Sequence, residues 1–168
     1  MIFKFLSKNF YISFAIVALI YFLDRLSKLY VIQLDKNNLG SDIFNSAYLN
    51  IVLIWNKGIA FGLLSFNESY LYNIISLIIA IIIIVLLIMS LKSQGFKRYS
   101  LLMIVGGALG NLHDRIFFNA VPDFIDFHIG NFHWFIFNVS DIFITLGVVS
   151  MIIVELIDKD KYNHDKNI

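Results

Sequence analysis

Apolar residues fall into four long runs along the chain, and acidic residues interrupt or border them. The first covers about residues 10–34. Phe10–Leu23 meets Asp24-Arg25-Leu26-Ser27-Lys28, and the run resumes as Leu29-Tyr30-Val31-Ile32. The second, residues 70–91, contains an Ile78–Ile88 stretch of nearly pure Ile, Val and Leu, and reads as a span whose role is lipid contact and packing. The third and fourth cover about residues 99–117 and 138–157. Each run is near the ~20 residues a helix needs to cross the hydrocarbon core. The third holds Gly106-Gly107-Ala108-Leu109-Gly110, a small-xxx-small spacing that lets neighbouring helices approach closely. The expected fold is therefore an all-α polytopic membrane protein of four transmembrane helices, forming a single membrane-embedded domain over residues 1–168.

Composition supports the pattern. The chain is 59% hydrophobic and 15% charged, with a mean hydropathy of +0.79; a soluble domain is nearer ~45–50% apolar and ~25% charged. A net charge of +1 gives no basic surplus for nucleic acid. With no cysteine, thiolate catalysis, disulfides and cysteine-type zinc sites are excluded. The N-terminus imitates a secretory signal, with Lys4 and Lys8 before the apolar run. No A-x-A-like site closes it, so it reads as an uncleaved first span.

Basic residues orient the spans. Lys4 and Lys8 precede the first, Lys92, Lys97 and Arg98 separate the second and third, and Lys159, Lys161 and Lys166 follow the fourth. Residues 116–137 contain neither Lys nor Arg. By the positive-inside rule both termini are cytoplasmic, and the loops at about 35–69 and 118–137 are external, with Lys36 and Lys57 mildly opposing. Tyr48–Trp55 and Phe132–Phe137, rich in β-branched and aromatic residues, read as short strands or interfacial segments of a small sheet-like lip. Gly58 and Gly62 would allow tight turns nearby.

That orientation gathers the unusual polar residues at one membrane face. Asp24, Lys28, Asn56, Asn111, Asp114, Arg115, Asp123, Asn138 and Asp141 all fall toward it. A charge at the bilayer centre costs roughly 2.5–3.5 kcal/mol, so acids kept near membrane spans are functional-site candidates. Asp123 and Asp141 form the candidate catalytic pair. Two nearby carboxylates share a proton, so one can activate water while the other hydrogen-bonds the attacked carbonyl. Asp141 falls in the first turn of a helix, which favours the ionised form; Asp123 follows Pro122, the chain's one proline. The blander alternative makes Asp141 a helix cap and Asp123 a turn residue. Asn56, Asn111 and Asn138 are candidates for binding an extended backbone, or else satisfy loops and helix ends; Arg115 is a candidate clamp for substrate carbonyls or phosphate, or else Asp114-Arg115 anchors a helix end at the headgroups. Asp24 and Lys28, spaced i, i+4, read as a neutralising support pair, and Asp126 as a solvated loop charge. There is no G-x-S-x-G or H-E-x-x-H motif. His113, His128, His133 and His164 are scattered; a metal site would have to recruit the aspartates, so neither metal nor cofactor is expected.

Five blocks occur together in order: Asp24–Lys28, Asn56–Gly62, Gly106–Arg115, Val121–Asp126 and Phe137–Asp141. In these the chain resembles bacterial lipoprotein signal peptidases, the signal peptidase II family. The resemblance implies an aspartic endopeptidase of the bacterial cytoplasmic (inner) membrane, with four helices and an extracytoplasmic β-cradle. It would cut diacylglyceryl-modified prolipoproteins just before the lipidated cysteine. Asp123 and Asp141 match the dyad, Asn56, Asn111, Arg115 and Asn138 the polar substrate surroundings, and Asp24 and Asp114 supporting acids. The chain would act as a monomer among membrane lipids. Ser140 stands where the family usually has alanine, close enough to Asp141 to hydrogen-bond it, and Pro122 where a β-branched residue is common. The competing readings are a small proton-coupled transporter and a noncatalytic lipid- or peptide-binding membrane module.

Overall fold

A computed structural model describes residues 8–37, 43–58 and 69–166. Its elements are α1 (Lys8–Asn37), β1 (Phe44–Asn45), β2 (Leu49–Asn56), α2 (Ser69–Lys92), α3 (Gly95–Phe118), β3 (Val121–Ile129), β4 (Phe132–Phe137) and α4 (Val139–Lys166). All four helices are long and apolar enough to cross a membrane. Their outward faces carry rows of exposed large apolar side chains, such as Leu77, Ile78, Ile81, Ile84 and Ile88 on α2. A water-soluble surface does not tolerate so continuous an apolar belt; the chain is a multi-pass membrane protein. Helix α4 continues to Lys166, past the end of its apolar stretch near Ile157.

Helix α3 is the hub and packs against α1, α2 and α4. Its glycines make this possible. A Cβ on Gly106 would lie 2.9 Å from Ile20 Cβ of α1, and one on Gly107 would lie 2.5 Å from the Ser140 carbonyl of α4. Gly147 of α4 returns the arrangement against the Ser100 carbonyl. Helix α3 ends on Asn119 in the left-handed conformation (φ 52°), a cap that asparagine tolerates, and Pro122 follows to prevent continuation.

The four strands form one antiparallel sheet in the order β1-β2-β3-β4. Strand β2 follows α1 and strand β3 follows α3, so their pairing ties both loops together at one end of the bundle. The register sets Asn56 opposite Val121 and Ile54 opposite Asp123. Strands β2 and β4 lie in the segments whose composition predicts them. Strand β3 does not: sequence reading leaves it as loop, because proline and two aspartates are poor strand formers. Pro122 is tolerated as the second residue of the strand. Asp126, read as a solvated charge, is instead buried on β3, where Asn50 donates to it at 3.3 Å and His133 lies 2.8 Å away. Residues 59–62, including Gly62, lie outside the described residues.

Candidate active site

The start of α4 organises the site. Asn138 is the residue before the helix, and its Oδ1 accepts from the Asp141 backbone N–H at 3.2 Å. In return Asp141 Oδ2 accepts from the Asn138 backbone N–H at 3.1 Å. This is a reciprocal capping box, satisfying two otherwise free donors. Asp24 of α1 takes a third, accepting from the Ser140 N–H at 3.0 Å. So Asp141 does cap its helix, but with one oxygen only. Its Oδ1 accepts from Asn111 Nδ2 at 2.8 Å.

Asn138 also reaches the other aspartate. Its Nδ2 donates to Asp123 Oδ1 at 2.6 Å, while Asn56 Nδ2 donates to Asp123 Oδ2 at 2.9 Å. Both amides are pinned at their oxygen ends, Asn138 by Asp141 N–H and Asn56 by the Gly58 N–H at 2.8 Å. Neither can flip without losing a bond. The two aspartates therefore sit in one hydrogen-bonded frame with Asn138 between them. Burial, reinforced by the Asp141 charge and only partly offset by the Asn56 and Asn138 hydrogen bonds, pushes the Asp123 carboxyl up to about 6.

Beneath the pair lies a buried charge network. Lys28 Nζ donates to Asp24 Oδ2 (2.8 Å), Asp114 Oδ2 (2.7 Å) and Asn111 Oδ1 (2.9 Å), which uses all three ammonium protons. Arg25 forms a close ion pair with Asp114 Oδ1 at 2.5 Å, without hydrogen-bond geometry. Lys28, Asp24 and Asp114 are each 0% exposed. The Asp24–Lys28 pair is thus one edge of a neutral quartet, not an isolated i, i+4 bridge. By holding the Asn111 oxygen, Lys28 also turns the Asn111 amide toward Asp141.

Arg115 is buried rather than anchored at a headgroup. Its Nη2 donates to the Gly58 carbonyl at 2.5 Å, its guanidinium lies 5.1 Å over the Tyr72 ring, and its buried Nη1 has no partner. A cavity of about 330 Å³ opens beside the pair. Its polar wall is Asn56, Asn111, Arg115, Asp123, Asn138 and Asp141; its apolar wall includes Ile79, Ile82, Ile83 and Leu86 of α2 and Ile144 of α4. A second recess of about 210 Å³, lined by Phe135, Phe137 and Ile142, meets Asp141 from the other side.

The fold thus collects every sequence-named site residue, in the frame, in the network under it or, for Arg115, on the wall of the adjoining cavity. Sequence reasoning missed the α2 stripe, assigning that span to lipid contact and packing alone. The i, i+3, i+4, i+7 spacing of Ile79, Ile82, Ile83 and Leu86 is invisible where every neighbour is also apolar. It missed Tyr72 too, although a tyrosine opening so apolar a span was an available sign. His113 bonds the Tyr21 hydroxyl at 2.8 Å, away from the pair.

Ser140 corrects another expectation. Its Oγ, fully buried against Gly110, bonds neither Asp141 nor any other group. A buried hydroxyl without a partner costs about 1–3 kcal/mol. Ser140→Ala is therefore expected to raise the thermal unfolding midpoint in detergent; an unchanged or lower midpoint would show that the hydroxyl has a partner.

Comparison with known proteins places this geometry. The model of the signal peptidase (SPase) II family matches residues 16–157. A lipoprotein signal peptidase of Pelagibacter ubique is 49% identical over 160 residues, covering 95% of this chain and 96% of the relative. Another, from Anaplasma phagocytophilum, is 42% identical over 144 residues, covering 84% and 89%. A bacterial membrane enzyme structure determined by the in meso method at 2.3 Å superposes with a TM-score of 0.72 and 30% identity, over 89% of this chain and 90% of that one. A match spanning all four helices and the sheet shows that the chain belongs to the signal peptidase II family of peptidases.

Proposed function

We propose that this protein is an aspartic endopeptidase of the bacterial cytoplasmic membrane that removes signal peptides from diacylglyceryl-modified prolipoproteins by cutting before the lipidated cysteine. The observation that carries the reading is the frame around Asn138, which holds the buried Asp123 and the half-buried Asp141 at the mouth of a largely apolar cavity. In this reading both termini are cytoplasmic, the sheet and the aspartates lie near the outer face, and the protein works as a monomer.

Asp141, as the carboxylate, takes a proton from water while that water attacks the scissile carbonyl. Asp123, protonated, hydrogen-bonds the carbonyl oxygen and passes its proton to it as negative charge develops there, giving a neutral gem-diol. The proton held by Asp141 then passes to the leaving amine as the C–N bond breaks, and the carboxyl product returns one to Asp123. Asn56 and Asn138 hold Asp123, and Asn111 holds Asp141, so little reorganisation is needed at the moment of reaction. The unpartnered Arg115 Nη1 suits a substrate carbonyl. Acyl chains and the signal helix rest on the α2 and α4 walls, which makes the encounter nearly intramolecular.

The direct test is purified protein in nanodiscs with a diacylglyceryl-prolipoprotein, read by product mass. Cleavage before the modified cysteine is expected; folded protein that leaves the substrate intact, or cuts elsewhere, would sink the proposal. The pH profile adds a second check. Asp123 must be protonated to act, and it loses its proton as pH rises through about 6. In the free enzyme kcat/KM should therefore fall roughly tenfold per unit well above that pH. A profile flat from pH 6 to 9 would remove Asp123 from the acid role.

A further inference from the structure

We propose that Asp126, His128 and His133 bind one divalent transition-metal ion of the zinc class, at a site separate from the aspartate pair and independent of the proteolytic reading. Strand β3 alternates its side chains, so Asp126 and His128 share one face of the sheet while Asp123 projects from the other. His133 of β4 pairs directly with His128 across the ladder. The two-residue turn between the strands holds Gly130 at φ 59° in its first central position, which tightens the hairpin. Backbone pairing therefore sets the three side chains together before any ligand arrives.

Their geometry is that of a site close to assembly. One potential ligand atom from each residue lies within 4.8 Å of the others. Tetrahedral coordination at zinc–nitrogen lengths needs about 3.4 Å between neighbouring ligand atoms, so a modest contraction suffices. His133, 53% exposed at its side chain, is the member free to swing. It stacks on His128 with ring centroids 4.9 Å apart and planes inclined by 19°.

His128 is the observation that points to a ligand. Its residue is 8% exposed, and its buried Nδ1 has no hydrogen-bond partner. His133 and Asp126 already satisfy one another at 2.8 Å, and Asn50 Nδ2 steadies Asp126 at 3.3 Å. The pair explains itself; the third imidazole does not. A metal ion would give that nitrogen a partner and leave Asn50 orienting the coordinating carboxylate. Two imidazoles and one carboxylate suit zinc, cobalt or nickel over calcium or magnesium, and three protein ligands leave a position for water.

The test titrates Co²⁺ into the tag-free full-length protein in detergent, followed by visible absorption, with Zn²⁺ in competition. One Co²⁺ per chain, displaced by Zn²⁺, is expected. His133→Ala and His133→Gln, at a half-exposed position that folding tolerates, should each weaken binding about tenfold or more. Zn²⁺ should raise the unfolding midpoint of the parent protein but not of these variants. Absence of saturable Co²⁺ binding would overturn the proposal, as would saturable binding that both His133 variants retain.

Discussion

Asp141→Asn and Asp123→Asn are each expected to lower kcat for prolipoprotein cleavage by at least about 10³-fold, with the protein still folded. Each removes a proton-transfer group, and such groups are typically worth 10²–10⁴-fold apiece. The amide at 141 retains an oxygen for the Asn138 or Asn111 donor but cannot accept a proton from water. At 123 the two substitution effects separate. The folded protein holds a proton on Asp123 up to about pH 6, against an ordinary value of 3.8. Between those values the folded state binds more protons than the unfolded one, so this group's contribution to stability falls as pH rises through the window. At neutral pH that loss is on the order of 3 kcal/mol. Asp123→Asn should thus be inactive yet more stable than the parent at pH 8, with the difference vanishing near pH 4. A variant that is both inactive and destabilised at pH 8 would mean the residue holds the fold together; one that keeps near-normal turnover would mean it is not catalytic.

The second large effect is expected from Lys28→Met, with a loss of roughly 3–5 kcal/mol in stability. Removing one member of a buried ion network leaves the others uncompensated. Here Asp24 and Asp114, both fully buried, would share only Arg25. The substitution also frees Asn111 Oδ1, so the amide no longer holds its Nδ2 toward Asp141. In the proposed mechanism Lys28 acts by positioning Asn111, so residual enzyme should show a lower kcat with KM little changed. The control is the pair Lys28→Met with Asp114→Asn, which removes charge from both sides and should recover part of the stability. Lys28→Met with a parental unfolding midpoint would show that the network is not stabilising; a raised KM with unaltered kcat would place Lys28 at the substrate instead.

Much of this was legible in the chain because membranes make sequence patterns coarse. Four apolar runs of spanning length can hardly become anything but helices, and acids beside them stand out against the apolar background. The clustering at one end followed from helix direction alone, which brought Asn56, Asn111, Asn138 and the two aspartates within reach. What stayed hidden depended on contacts between distant segments. Strand β3 forms despite Pro122, Asp123 and Asp126 because β2 and β4 pair with it on both sides. The α2 wall cannot be picked out of a uniformly apolar helix. His128 meets His133 through the two-residue turn at Gly130-Asn131, but the register shifts between His128 and Asp126, so the position of Asp126 relative to the histidines could not be counted from spacing.

The quartet under the site also bears on how the protein is made. Lys28 and its partner Asp114 are 86 positions apart, so α1 leaves the ribosome and meets the bilayer long before α3 exists. During that interval α1 carries Asp24, Arg25 and Lys28 with no helix to answer them. Within α1 itself Asp24 already has Lys28 at 2.8 Å, a single turn away, and Arg25 at 3.5 Å. These contacts make the nascent segment partly self-neutralising, with two cations sharing one acid until Asp114 arrives. Docking of α3 then completes the charge balance, so biogenesis and construction of the site are one event, and a chain halted before α3 would hold a first helix poorly suited to lipid.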